Sequence, residues 1–218
     1  MPHKTHHSRL LPALQTADYY MAFVLLGLVS GSLGPTLPAL AERTHTELGA
    51  IGVLFTAERL GYLIGSFQAG WIYDKVRGNR LMAILLVLLA VVVASIPTAH
   101  ALWLLVLVVM LMGIFQGGID VGGNTLLIWV HKDKVGPFMN GLHFFWGTGA
   151  FLAPIVVALA VQRSGDIAWA YWTIAICILP VAIWTTRLPS PIFVKRHVPD
   201  SARDANRTFV GLLAVLWF

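Results

Sequence analysis

Gln116, Asp120 and Asn124 stand four residues apart, the spacing that stacks side chains along one stripe of a helix. An acid between two amides can hold a proton or a cation, and the amides can hydrogen-bond hydroxyl groups. Asn140, His143 and Trp146 are spaced three apart and so share a second helical face. Amides and an imidazole read hydroxyl-rich solutes, while an indole packs on the C–H surface of a sugar ring. Glu58 and Arg59 add a carboxylate and a guanidinium. As neighbours they project about 100° apart, so one partner cannot serve both. We expect Arg59 to face the interior and Glu58 to face contacts between helices or an outer vestibule.

These residues lie in apolar stretches. Of the 218 residues, 57% are hydrophobic and 11% charged, and the mean hydropathy of +0.76 leaves too little polar surface for a soluble globule. A hydrocarbon core about 30 Å thick needs about 20 apolar residues per helix. The stretches that qualify are Tyr19–Leu40, Leu48–Tyr73, Leu81–Ile96, Leu102–Trp129, Met139–Val161 and Ala168–Leu188. A seventh begins at Phe209 and reaches only Phe218, so the chain is expected to end inside a membrane. Ionisable groups in such stretches are costly unless paired or facing a water-filled cavity, which is why Arg59, Asp120 and His143 are candidate site residues. The structural alternative for the amides is an interhelical hydrogen-bond cluster.

The basic residues alternate from gap to gap. One side receives Lys4 and Arg9, then Lys75, Arg77 and Arg80, then Lys132 and Lys134, then Arg187, Lys195, Arg196, Arg203 and Arg207; the other receives Arg43 and Arg163. Cytoplasmic loops retain Lys and Arg. An integral protein of the cell (inner) membrane is expected, with a cytoplasmic tail over 1–17, a six-helix domain over 18–188, a cytoplasmic central loop over 189–208, and the start of a seventh span over 209–218. The net charge of +5 therefore reflects topology. Charges dispersed over loops at a membrane face exclude a nucleic-acid partner. The first apolar stretch is too long for a cleavable leader and is expected to stay as a span. Cys177 is the single cysteine, so no internal disulfide forms. His3, His6 and His7 are read as an unstructured tail rather than a metal site.

Small residues four apart let helices approach closely in lipid. Gly27 and Gly31, Gly61 and Gly65, Gly113 and Gly117, and Gly118 and Gly122 have that spacing. They are expected to form packing faces. Pro35, Pro38 and Pro154 favour bends in spans one and five. Counting residues from the turn that joins spans four and five, at about 1.5 Å each, places Asn124 level with His143 and Asp120 level with Trp146.

Other segments carry a resemblance. Gly70-Trp-Ile-Tyr-Asp74-Lys75-Val-Arg77-Gly78-Asn-Arg80 resembles the loop between spans two and three of major facilitator superfamily transporters, with one extra residue before the second glycine. Gly118-Ile-Asp120-Val-Gly-Gly-Asn124 followed by Asn140-Gly-Leu-His143-Phe-Phe-Trp146 is similar to the fucose permease and sodium-dependent glucose transporter branch. Gly34-Pro35-Thr-Leu-Pro38 and Arg59-Leu-Gly-Tyr-Leu-Ile-Gly65-Ser also look like that branch. The resemblance implies the all-α, six-helix N-terminal half of that fold plus the start of a seventh span, and a second six-helix half, expected in a missing C-terminal part or in another chain. It implies a secondary transporter for a sugar or similar small polar solute. Arg59, Gln116, Asn124, Asn140, His143 and Trp146 would bind the solute. Gly70, Asp74, Lys75, Arg77, Gly78 and Arg80 would form a gating loop. Fucose permease carries an Asp on span one where this chain has Gly34, which leaves Asp120 as the group for Na⁺ or H⁺ coupling; no other cofactor or metal is implied.

Two rival readings remain open on the sequence. One is a truncated or accessory membrane protein that pairs with another transporter. The other is an intramembrane enzyme using Asp120 and His143 as acid and base, although no nucleophile, metal set or cofactor motif accompanies them.

Overall fold

A computed structural model describes residues 4–191. The stretch Phe209–Phe218, the basic residues from Lys195 to Arg207 and His3 lie outside the described residues. Among the described residues every regular element is a helix, and six are long and apolar enough to cross a membrane. Span one is Lys4–Arg43. Span two is Val53–Tyr73, entered through a short helical turn at Leu48–Ile51. Span three is Gly78–Ser95, span four Leu102–His131, span five Gly136–Ser164 and span six Ala168–Arg187.

Local chemistry sets the ends. Pro97 lies in the 3₁₀ turn that closes span three. Gly165 takes φ 74 after span five, the left-handed conformation in which a glycine avoids a Cβ clash while ending a helix. Span one begins earlier than hydropathy alone suggests. The helix runs from Lys4, and Gln15, Thr16 and Asp18 are buried, so the stretch expected to be an unstructured tail is helical from Lys4 onward.

The spans associate as pairs: one with five, two with four, and three with six. Glycines set the first two. A Cβ on Gly61 would lie 2.0 Å from the Met110 carbonyl oxygen, and one on Gly65 1.9 Å from that of Ile114. From the opposite side, a Cβ on Gly113 would meet the Glu58 carbonyl at 2.1 Å and one on Gly117 the Tyr62 carbonyl at 2.2 Å. Spans two and four thus interlock backbone against backbone, each supplying two glycines. Gly27 against Trp146, Gly31 against Ala150 and Gly149 against Val24 repeat the arrangement between spans one and five. Such contact maximises dispersion where lipid gives no hydrophobic drive. Gly118 and Gly122 accommodate the side chains of Leu85 and Tyr73 instead.

Polar ties close both ends of the bundle. At one end Arg43 donates to the Pro97 carbonyl at 2.6 Å and pairs with Asp166, joining three connections. At the other, Tyr19 donates to Asn79 Oδ1 at 2.8 Å, while Asn79 Nδ2 donates to the carbonyls of Leu188 and Pro189, each at 3.2 Å. The Asn79 backbone N–H donates to Ser190 Oγ at 3.1 Å, and Gln15 donates to the Pro189 carbonyl at 2.8 Å. The chain leaving span six is therefore fastened to spans one and three.

Candidate functional site

The interlocked backbones of spans two and four fix the register of the side chains beside them. Because the Tyr62 carbonyl rests on Gly117, the Tyr62 side chain comes close enough to Asp120, almost one turn along span four, for the two to act on each other electrostatically. Asn124 Nδ2 donates to the Asp120 carbonyl oxygen at 2.8 Å and lies 3.4 Å from its Oδ1. His143 of span five is close enough to act electrostatically on the same carboxyl. Asp120 is only half-buried, so its three neighbours constrain it without sealing it.

The position of His143 follows from span one. Phe23 packs on Gly123 and meets the His143 ring edge-on, with centroids 6.4 Å apart. One ring therefore lies against both Gly123 and His143, which brings span five to the stretch of span four that carries Asn124.

Gln116, at the head of the stripe, does not share this half-open environment. It is 1% exposed, donates to Ser30 Oγ at 3.3 Å, and lies beside Glu58, whose Oε1 is buried without a hydrogen-bond partner among the described residues. Glu58 is itself 2% exposed and fills the space between spans, as expected for a carboxylate that turns toward a neighbouring helix. Arg59 points the other way. It is exposed on the surface of the six-helix bundle, within electrostatic reach of Tyr62 and Glu58, so it is not part of the bundle core. Asn140 and His143 are exposed and Trp146 is 38% exposed; among the described residues neither Asn140 nor Trp146 hydrogen-bonds its side chain to the Asp120 group. The structure thus gathers Tyr62, Asp120, Asn124 and His143, places Arg59 beside Tyr62, and leaves Asn140 and Trp146 open on span five.

Tyr62 escaped the sequence reading. It is a tyrosine four residues after Glu58 and three after Arg59 in an apolar stretch, and that spacing was the available signal. Ser30 had none, since a lone serine in a span usually satisfies itself on its own helix.

The loop between spans two and three is splayed. Lys75 Nζ sits 3.2 Å above the Trp71 ring, Gly70 faces open space, and Gly78 is pressed against Leu126 and Trp129. Arg77 is extended at the entry to span three. Among the described residues Asp74 forms no ion pair with Lys75, Arg77 or Arg80. The extra residue separates the second glycine from the acid, so the loop residues are adjacent without forming a charge relay in this conformation.

The profile of the Major Facilitator Superfamily matches residues 19–217. The chain belongs to the major facilitator superfamily. With six membrane-crossing helices, it is an integral membrane protein of that superfamily's all-α fold. Sodium-dependent glucose transporter 1 of Homo sapiens is 33% identical over 145 residues, 66% of this chain and 28% of that protein. The Rattus norvegicus protein of the same name is 33% identical over 152 residues, 70% of this chain and 31% of that protein. Major facilitator superfamily domain-containing protein 4A of Mus musculus is 33% identical over 143 residues, 65% of this chain and 28% of that protein. The aligned stretch spans less than a third of each of these relatives.

Proposed function

We propose that this chain is part of a secondary transporter that moves a sugar or similar small polar solute by alternating access. It works against a second six-helix half, in a cell membrane with the N-terminus cytoplasmic. The observation that carries this reading is the half-open acid: Asp120 is contacted by Asn124 with Tyr62 and an exposed His143 beside it. A carboxyl in that setting can exchange a proton or Na⁺ while its amide and imidazole neighbours hydrogen-bond hydroxyl groups of a solute. Trp146 and Asn140 on the same face of span five extend the surface a sugar would meet, and Arg59 borders it through Tyr62. Gln116 supports the stripe from behind rather than touching the solute. The names of the relatives, sodium-dependent glucose transporters, support both the solute class and ion coupling. Gly70, Asp74, Lys75, Arg77, Gly78 and Arg80 would meet the second half when the inward side closes.

The test is gradient-driven accumulation of labelled glucose and fucose in cells producing the protein, with Na⁺ or H⁺ gradients imposed in turn. Asp120→Asn removes the exchangeable charge with little change of shape. Accumulation should be lost while exchange of solute across the membrane persists. Accumulation that survives Asp120→Asn overturns the coupling role, and absence of solute movement under every gradient overturns the transport reading.

A further inference from the structure

A groove of about 520 Å³ opens at the end of the bundle where span three begins and span six ends. Its walls carry Arg77, Arg80 and Arg187, with Asn79, Thr186 and the Leu188–Ser190 segment as floor. All three arginines are exposed, and among the described residues none is paired with a carboxylate. Their convergence is built rather than incidental. Asn79, 1% exposed, holds Leu188, Pro189 and Ser190 against span three by three hydrogen bonds, which fastens the end of span six, and with it Arg187, beside the start of span three.

Beneath the cations the surface changes character. Ile84 and Leu88 follow Arg80 at one and two helical turns, and Ile183 and Leu179 precede Arg187 at the same intervals, so each arginine heads an aligned row on its helix. Ile84 is 51% exposed, Leu88 40%, Ile183 57% and Leu179 41%, and spans three and six pack side by side. The cationic groove therefore sits at the head of two exposed apolar rows, one on each of two packed spans.

We infer that this groove binds the headgroup of an anionic phospholipid, with the phosphodiester between Arg80 and Arg187 and an acyl chain along the isoleucine and leucine track. Guanidinium forks match phosphate oxygens geometrically. A soluble phosphate would use the same cations but would leave the apolar track without a role. The site is separate from the Asp120 group, shares Arg77 and Arg80 with the loop proposed to meet the second half, and does not depend on which solute is carried.

The full chain, purified in mild detergent, is offered equal amounts of phosphatidylglycerol and phosphatidylcholine, and retained lipid is counted by native mass spectrometry. Phosphatidylglycerol should be retained in preference. Arg80→Gln and Arg187→Gln should each lower its retention about fivefold, the equilibrium change expected for one cation at an anionic lipid surface. Arg187→Lys should keep most of it, and Arg163→Gln, at the other end of the bundle, all of it. Unfolding temperatures measured without lipid establish that each variant is folded; if Arg187→Gln does not fold, Arg80→Gln decides. Equal retention of the two lipids, or retention unaffected by the arginine substitutions, overturns the inference. Binding of inorganic phosphate to lipid-free protein with the same arginine dependence, uncontested by phosphatidylglycerol, assigns the groove to a soluble anion and also overturns it.

Discussion

The hydroxyl of Tyr19 donates to Oδ1 of Asn79 at 2.8 Å, and both side chains are almost completely buried. One asparagine thereby joins span one to span three and, through its amide, to the chain leaving span six. Asn79→Leu keeps the branched shape but strands a buried phenol and two carbonyls. It should lower stability by about 1–3 kcal/mol, read as a lower midpoint of thermal unfolding in detergent. Tyr19→Phe, which leaves the Asn79 amide bonds in place, should cost less.

The interlocked glycines make a second prediction. Gly65→Ala and Gly117→Ala put a methyl group into a carbonyl oxygen of the facing span and must push spans two and four apart, at about 1–3 kcal/mol each. Gly147→Ala, which faces open space, should be neutral. The comparison is made by unfolding midpoints of the three variants side by side; equal effects would contradict the close approach.

Arg43 and Asp166 allow a prediction about relative cost. Their side chains are 25% and 45% exposed, and an exposed pair of this kind contributes about 0–1 kcal/mol. Arg43 also donates to the Pro97 carbonyl. Asp166 Oδ1 in turn accepts from the Ala168 N–H at 2.7 Å, so Arg43→Ala and Asp166→Ala should each destabilise by more than the pair itself contributes, and a double-mutant cycle should give a coupling energy below about 1 kcal/mol.

Tyr62→Phe tests the group around Asp120 from the side. Removing the hydroxyl leaves the register of spans two and four intact, because the glycine contact is to the Tyr62 backbone. The change should alter the ion-concentration dependence of solute uptake, with unfolding unchanged to within about 0.5–1.5 kcal/mol, the usual net value of one hydrogen bond. Unaltered ion dependence would separate Tyr62 from coupling.

The six spans and their glycine faces were legible because both signals are periodic and local: length of apolar sequence, and small residues four apart. The Gln116, Asp120 and Asn124 stripe was legible for the same reason, but its division was not. Gln116 turns inward to Ser30 while Asp120 meets His143, and that depends on helix crossing, which one sequence does not encode visibly. The knot at Asn79 was missed because a polar residue at the start of a span reads as loop. Asp18 was missed likewise, although it is buried at the Thr185 hydroxyl, 3.1 Å away.

Spans two and four touch through main-chain oxygen on main-chain carbon, with no flexible side chain between them to absorb a small slip. The seam is indexed. A longitudinal shift short of one full repeat sets carbonyl against Cβ, and the next matching position is four residues away, about 6 Å along the axis. Within this pair, sliding is stepwise or does not occur, so spans two and four carry Tyr62 and Asp120 as one piece.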